Sequence, residues 1–163
     1  METQEMTSQV AAAKAIATIA HRFQTDKIGV AYIEHPRRVA AIITEQNAGL
    51  PHIAAAWLHD VIEDCGVTAI DLIAAGISQE VVDAVVLLTR TETNKGDGYY
   101  LEIRKNSVAL AVKLADIDDN GDPKRTALLT EEKRDRLAVK YAHALKLLTG
   151  ALPGARANGP APS

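Results

Sequence analysis

The segment Ala55-Ala56-Trp57-Leu58-His59-Asp60-Val61-Ile62-Glu63-Asp64 places the tightest constraint on what this chain can fold into. An apolar run from Ile53 to Leu58 leads straight into four titratable side chains within six positions. Residues four apart share one face of a helix, so a continuous helix stacks Glu63 over His59 and Asp64 over Asp60. Burying such a set is costly unless something binds it. A divalent cation, flanked by carboxylates that handle water and protons, is the simplest physical explanation.

A second segment, Lys113-Leu114-Ala115-Asp116-Ile117-Asp118-Asp119-Asn120, changes character in the same way. Val108, Leu110, Ala111, Val112, Leu114 and Ala115 predict a buried helix that ends in three acids and an amide. Lys113 and Asn120 lie three before and four after Asp116, so the three share a face. Alone, the pattern reads equally well as a Lys113–Asp116 pair at a solvated helix end. Beside the first segment, Asp116 becomes a source of another metal ligand. A further histidine has to come from His21, His35, His52 or His143, and spacing does not select among them. His35 precedes Pro36, a position usual for a cap or a surface residue. Two imidazoles with two carboxylates suit manganese, iron or cobalt better than magnesium.

The remaining sequence sets the frame. A chain of 163 residues suits one domain, here 1–150, followed by a Pro-, Gly-, Ala- and Ser-rich tail over 151–163 expected to be disordered. Hydrophobic residues make up 47% of the chain and aromatic residues only 4%, which favours close helix packing and an all-α fold. Helical spacing covers Ser8 to Phe23 after a frayed lead, Pro36 to Gln46, Pro51 to Gly66, Thr68 to Gly76 and Ser78 to Arg90. It resumes over Tyr99 to Arg104, from Asn106 or Ser107 onward, and from Thr130 to Leu148. Polar loops join them at 24–31 and 91–98, and the second is a candidate to carry substrate contacts.

A net charge of −3 argues against a nucleic-acid partner. No apolar stretch approaches the roughly 20 residues of a membrane span, and the N-terminus lacks a signal-peptide pattern, so a cytoplasmic protein is expected. The single cysteine, Cys65, excludes an internal disulfide and reads as a packing residue. Oligomeric state is not legible.

In order, these blocks resemble the HD superfamily of metal-dependent phosphohydrolases. More closely, they are similar to the hydrolase domain of RelA/SpoT-type alarmone enzymes and to stand-alone small alarmone hydrolases. The matching pieces are Ala20-His21-x-x-Gln24 to Gly29, Tyr32-Ile33-x-His35-Pro36-x-x-Val39-Ala40, Ala55 to Asp64, and Val112 to Asp116 with Asn120. They span about residues 10–145. The resemblance implies a compact helical HD-domain bundle with a metal site between helices. It makes His35, His59, Asp60 and Asp116 the metal ligands, with manganese the expected ion. Glu63 and Asp64 fall on the acidic pair that activates water, Asn120 on an amide that contacts the nucleotide, and Lys27 and Tyr32 on the cleft lining. Lys113, with Lys27, Arg90 and Lys95, is a candidate for neutralising phosphoryl charge. The implied reaction removes the 3′-pyrophosphate of a guanosine or adenosine alarmone such as ppGpp.

Three departures bear on substrate. Asp26 stands where the family usually has a guanine-packing arginine, and Ile117-Asp118-Asp119 replaces a basic and aromatic or His-containing stretch. Arg136 and Tyr141 are one residue further apart than the family pair they resemble. An HD-type nucleotidase or phosphatase on a simpler nucleotide is therefore the alternative enzyme. A metal-stabilised binding module is the non-enzymatic one.

Overall fold

In the computed structural model, which describes residues 1–150, the helical signals resolve into ten helices. These are α1 (Glu2–Ala20), α2 (Glu34–Glu45), α3 (Leu50–Leu58), α4 (Val61–Cys65), α5 (Ala69–Ala74), α6 (Gln79–Leu88), α7 (Asp97–Arg104), α8 (Ser107–Asn120), α9 (Pro123–Thr126) and α10 (Glu131–Thr149). No strand forms among the described residues, only one isolated antiparallel bridge between Thr25 and Ala31. The all-α expectation holds. The expected tail, 151–163, lies outside the described residues.

The centre of the bundle is α3, which packs against α1, α2, α6 and α8. Its sequence explains that position. Ala54, Ala55 and Ala56 are fully buried and admit neighbouring backbones closely, while Trp57 and Leu58 fill the remaining space. Pro51 lies in its first turn, where a missing N–H costs nothing. The preceding Gly49 has φ 112°, a conformation that a side chain would strain. α8 runs alongside α2 and α3, and buries Val108, Ala109, Val112 and Ala115 with the charged Lys113, Asp116 and Asp119.

Some boundaries differ from the sequence reading. Residues 2–7 are part of α1, not a frayed lead. α7 starts at Asp97 and not at Tyr99, and α9 is an extra turn opened by Asp122 and Pro123. The helix expected over 51–66 is interrupted at His59-Asp60, between α3 and α4. Gly66, left-handed at φ 71°, ends α4. Thr68 and Asp71 form the reciprocal cap of α5 that their spacing suggests. Ser78 sits at the start of α6, but its hydroxyl makes no capping bond. No described helix is long and apolar enough to cross a membrane.

Ile43 of α2 is fully buried among these helices. Ile43→Ala is expected to cost about 2–5 kcal/mol through lost burial and the cavity left behind. The shift in urea midpoint checks this, and a change below about 1 kcal/mol would show that α2 is not part of the cooperative core.

Candidate metal centre and substrate cleft

Two helices and one helix junction bring the charged residues together. α2 carries His35 on its first turn, the α3–α4 junction carries His59 and Asp60, and α8 carries Asp116. The two imidazoles point their Nε2 atoms at each other across 3.2 Å. His35 Nε2 is 2.9 Å from Asp116 Oδ1, and His59 Nε2 is 3.0 Å from Asp60 Oδ2. The cross distances are 3.7 Å from His59 to Asp116 and 3.8 Å from His35 to Asp60. His35, His59 and Asp60 form a group able to hold a metal ion, their ligand atoms all within 4.8 Å of one another.

The outer nitrogens show what the inner ones must be. His59 Nδ1 donates to the Ala56 carbonyl at 2.6 Å, and His35 Nδ1 to Asp119 Oδ2 at 2.7 Å. A neutral imidazole that donates from Nδ1 carries a lone pair on Nε2. Two lone pairs and two carboxylates thus converge in a buried space, a repulsive arrangement unless positive charge enters it. Ligand atoms about 2.1 Å from one ion and at right angles around it lie about 3 Å apart, so the donor set fits a divalent ion. The same demand for positive charge appears in the titration behaviour. Burial opposes a charged His59, yet Asp60 and Asp116 push it well above its usual range. Burial likewise opposes the Asp116 carboxylate, but the Lys113 ammonium and the two histidines hold it well below the usual range.

Hydrogen bonds fix the carboxylates in turn. Tyr32 donates its hydroxyl to Asp60 Oδ2 at 2.6 Å. Lys113 Nζ donates to Asp116 Oδ2 at 2.7 Å, and Asn120 Nδ2 to Asp116 Oδ1 at 2.9 Å. The shared face read from the sequence therefore exists, and Lys113 is buried in it.

Glu63 and Asp64 are neighbours on α4, about 100° apart around its axis, and they meet different surroundings. Glu63 lines the small chamber around the histidines, about 150 Å³, and its Oε1 accepts the Arg90 backbone N–H at 2.6 Å. Asp64 does not line that chamber. It lies near Gln24, whose Nε2 donates to Asp64 Oδ2 at 3.4 Å. Gln24 Oε1 in turn lies 2.7 Å from the buried His21 Nδ1. Cys65 Sγ is 3.3 Å from the same nitrogen, and burial pushes its thiol up, away from a reactive thiolate.

A larger cleft of about 430 Å³ adjoins the chamber, and Tyr32, His35, Asn120, Lys140 and Tyr141 line both. Lys27 and Asp26 line the cleft as well. Asp26 Oδ1 accepts the backbone N–H groups of Ile28 and Val30, both at 2.9 Å, so this oxygen holds its own loop together. Arg90 lines the chamber, 4.9 Å over the Tyr99 ring and 3.0 Å from the Tyr100 hydroxyl.

Other candidates fall elsewhere. Lys95 pairs with Glu92 on the surface, and no residue of 91–98 lines either cavity. Arg136 is exposed and pairs with Glu132, so Tyr141 faces the cleft without it. Lys140, absent from the sequence reading, takes the neighbouring place. Its spacing of four from Arg136 is the signal that would have found it. Arg38, Asp119 and Arg125 were also missed as site residues, because their role rests on pairing between α2, α8 and α9. Asp118 is exposed and Ile117 buried, and neither lines the chamber or the larger cleft; the acids after Asp116 do not crowd a ligand there.

The family model for the HD domain matches residues 12–109, more than half of the chain. The chain belongs to the HD domain family. Beyond that model, this HD domain is 36% identical over 133 residues to the guanosine-3′,5′-bis(diphosphate) 3′-pyrophosphohydrolase of Vibrio cholerae. It is 32% identical over the same length to the bifunctional (p)ppGpp synthase/hydrolase SpoT of Escherichia coli K12. Both alignments cover 76% of the chain and 19% of the relative, so the chain spans about a fifth of the length of these relatives. A solved metazoan ortholog of SpoT, described as hydrolysing ppGpp, superposes with a TM-score of 0.74 at 24% identity. That superposition covers 89% of this chain and 88% of the other, and confirms the fold.

Lys113→Met should destabilise the metal-free HD domain by about 3–5 kcal/mol, because it leaves Asp116 buried without its cation. Chemical denaturation in chelator reads this directly. A loss below about 1 kcal/mol would place the pair in solvent.

Proposed function

We propose that this HD domain is a manganese-dependent pyrophosphohydrolase that removes the 3′-pyrophosphate of a guanosine or adenosine alarmone. The convergence of two imidazoles and two carboxylates on a chamber that opens into a cation-lined cleft carries this reading. The names of its relatives, guanosine-3′,5′-bis(diphosphate) 3′-pyrophosphohydrolases, supply the substrate class.

His35, His59, Asp60 and Asp116 hold the ion, and a mixed nitrogen and oxygen set suits manganese. When bound, such an ion lowers the pKa of water enough for ionisation near neutral pH. Glu63 faces the chamber with one oxygen held by the Arg90 N–H, leaving the other to orient a water and take its proton. Asp64 supports it from the Gln24 side. The water oxygen bonds to the phosphorus attached to the 3′-oxygen, and the bond from that phosphorus to the 3′-oxygen breaks. The electron pair stays on the 3′-oxygen, which gains a proton, and pyrophosphate departs. Lys113, Arg90 and Lys140 line the chamber, where phosphoryl charge accumulates. Asn120, Tyr32 and Lys27 line the path to the nucleoside.

Incubation with manganese and ppGpp, pppGpp, ppApp, GTP and simple mononucleotides, with chelator controls, tests the assignment. Metal-dependent pyrophosphate release from a 3′-pyrophosphorylated nucleotide is expected. Phosphate released only from mononucleotides would move the protein to the nucleotidase class, the reading that Asp26 in place of the family arginine favours. Asp60→Ala should lose both bound metal and turnover. Glu63→Gln should retain the metal and lose turnover about 10²–10⁴-fold; normal turnover by this variant would remove Glu63 from the mechanism.

A further inference from the structure

Two rungs join α2 to α8, and the proposed ligand set uses only the first. His35 and Asp116 form that one through Nε2. One turn further along each helix, Arg38 and Asp119 form the second. Asp119 is 4% exposed, and its carboxylate accepts three hydrogen bonds from nitrogens. Oδ2 accepts from His35 Nδ1 at 2.7 Å. Oδ1 accepts from Arg38 Nε at 2.8 Å and from an Arg125 terminal nitrogen at 2.7 Å. The same Arg125 nitrogen also donates to the Asp119 carbonyl, and its other arm lies 3.6 Å from Asp122. Arg38 and Arg125 line the larger cleft, while Asp119 itself does not.

We infer that Asp119 is a positioning residue that serves both halves of the site. It holds the His35 ring with Nδ1 as donor and Nε2 free to face the ion, and it anchors two guanidinium groups on the cleft wall where a phosphorylated nucleotide lies. The inference rests on the metal reading above and adds a residue to it. Its physical basis is geometric. An imidazole whose second nitrogen is bonded to a carboxylate cannot rotate away from the ion, and the carboxylate raises its basicity as a ligand. The carboxylate stays charged in the interior because two guanidinium groups meet its other oxygen. Removing it therefore releases a metal ligand on one side and two cations on the other.

The test compares D119N, D119E and D118N with the parent chain, by Mn2+ affinity in chelator competition and by metal-free melting temperature. Asp118 is exposed one residue away, so D118N makes the same charge change without the contacts. D119N is expected to weaken Mn2+ binding about 10–100-fold, and D118N to leave it unchanged. D119E keeps the charge and preserves the fold if the amide does not, and it should fall between D119N and the parent chain. On turnover, R125Q should raise KM about tenfold, the equivalent of one charged hydrogen bond, with kcat changed less than about threefold. D119N and D119E binding Mn2+ as tightly as the parent would overturn the metal half of the inference alone. An unchanged KM in R125Q would overturn the cleft half. A parent chain that takes up no Mn2+, Fe2+ or Co2+ would instead overturn the metal reading and the inference together.

Discussion

The convergence of His35 and His59 Nε2 atoms with Asp60 and Asp116 oxygens is the constraint on which the rest of this structure depends. His35, His59 and Asp116 are buried and Asp60 is half-buried, and on neutral imidazoles like electron pairs would face one another. An interior can carry such a set only where each outward atom is bonded and the inward atoms share a positive charge. The fold meets the first condition throughout. The Ala56 carbonyl, Asp119, Tyr32, Lys113 and Asn120 satisfy the outward atoms, and they come from five different positions along the chain. A divalent ion, as proposed above, would meet the second condition.

The α3–α4 junction also places the acidic pair. Glu63 and Asp64 are adjacent on α4, so a turn of about 100° sends them to different surroundings. Glu63 lines the chamber, and Asp64 lies beside Gln24, which bonds to His21. Two carboxylates aimed inward with Asp60 and Asp116 would oppose a phosphorylated ligand; one, tied to the Arg90 N–H, does so much less.

Much of this was legible in the sequence for a physical reason. Helical periodicity and caps are local, so the Thr68–Asp71 box and the buried face of α8 could be read directly. The pairing of Lys113, Asp116 and Asn120 is also local, fixed by spacing on one helix. His35 is different, because the carboxylates it bonds, Asp116 and Asp119, lie more than 80 positions away and spacing does not choose it over His21, His52 or His143; the family resemblance does. Asp119 reads from the sequence only as a departure from the family's basic stretch, since its neutralisation comes from Arg38 on α2 and Arg125 on α9. Lys140 escaped because the resemblance drew attention to Arg136, whose side chain ends on the surface with Glu132.

Charge in the cleft runs against the charge of the whole chain. The formal net charge is −3, yet Lys27, Arg38, Arg125 and Lys140 line the larger cavity with Asp26 as the one acid among them. One oxygen of Asp26 accepts two backbone N–H groups of its own loop, which fixes the turn leading to Tyr32. A carboxylate engaged in this way shapes the loop and cannot stack on a base as a guanidinium does. A lining of this charge suits a phosphate group better than it suits a base at this position. Under the proposed activity, discrimination between guanine and adenine would fall to the loop backbone and the side chains around Thr126 and Leu129, which offer shape and few hydrogen bonds.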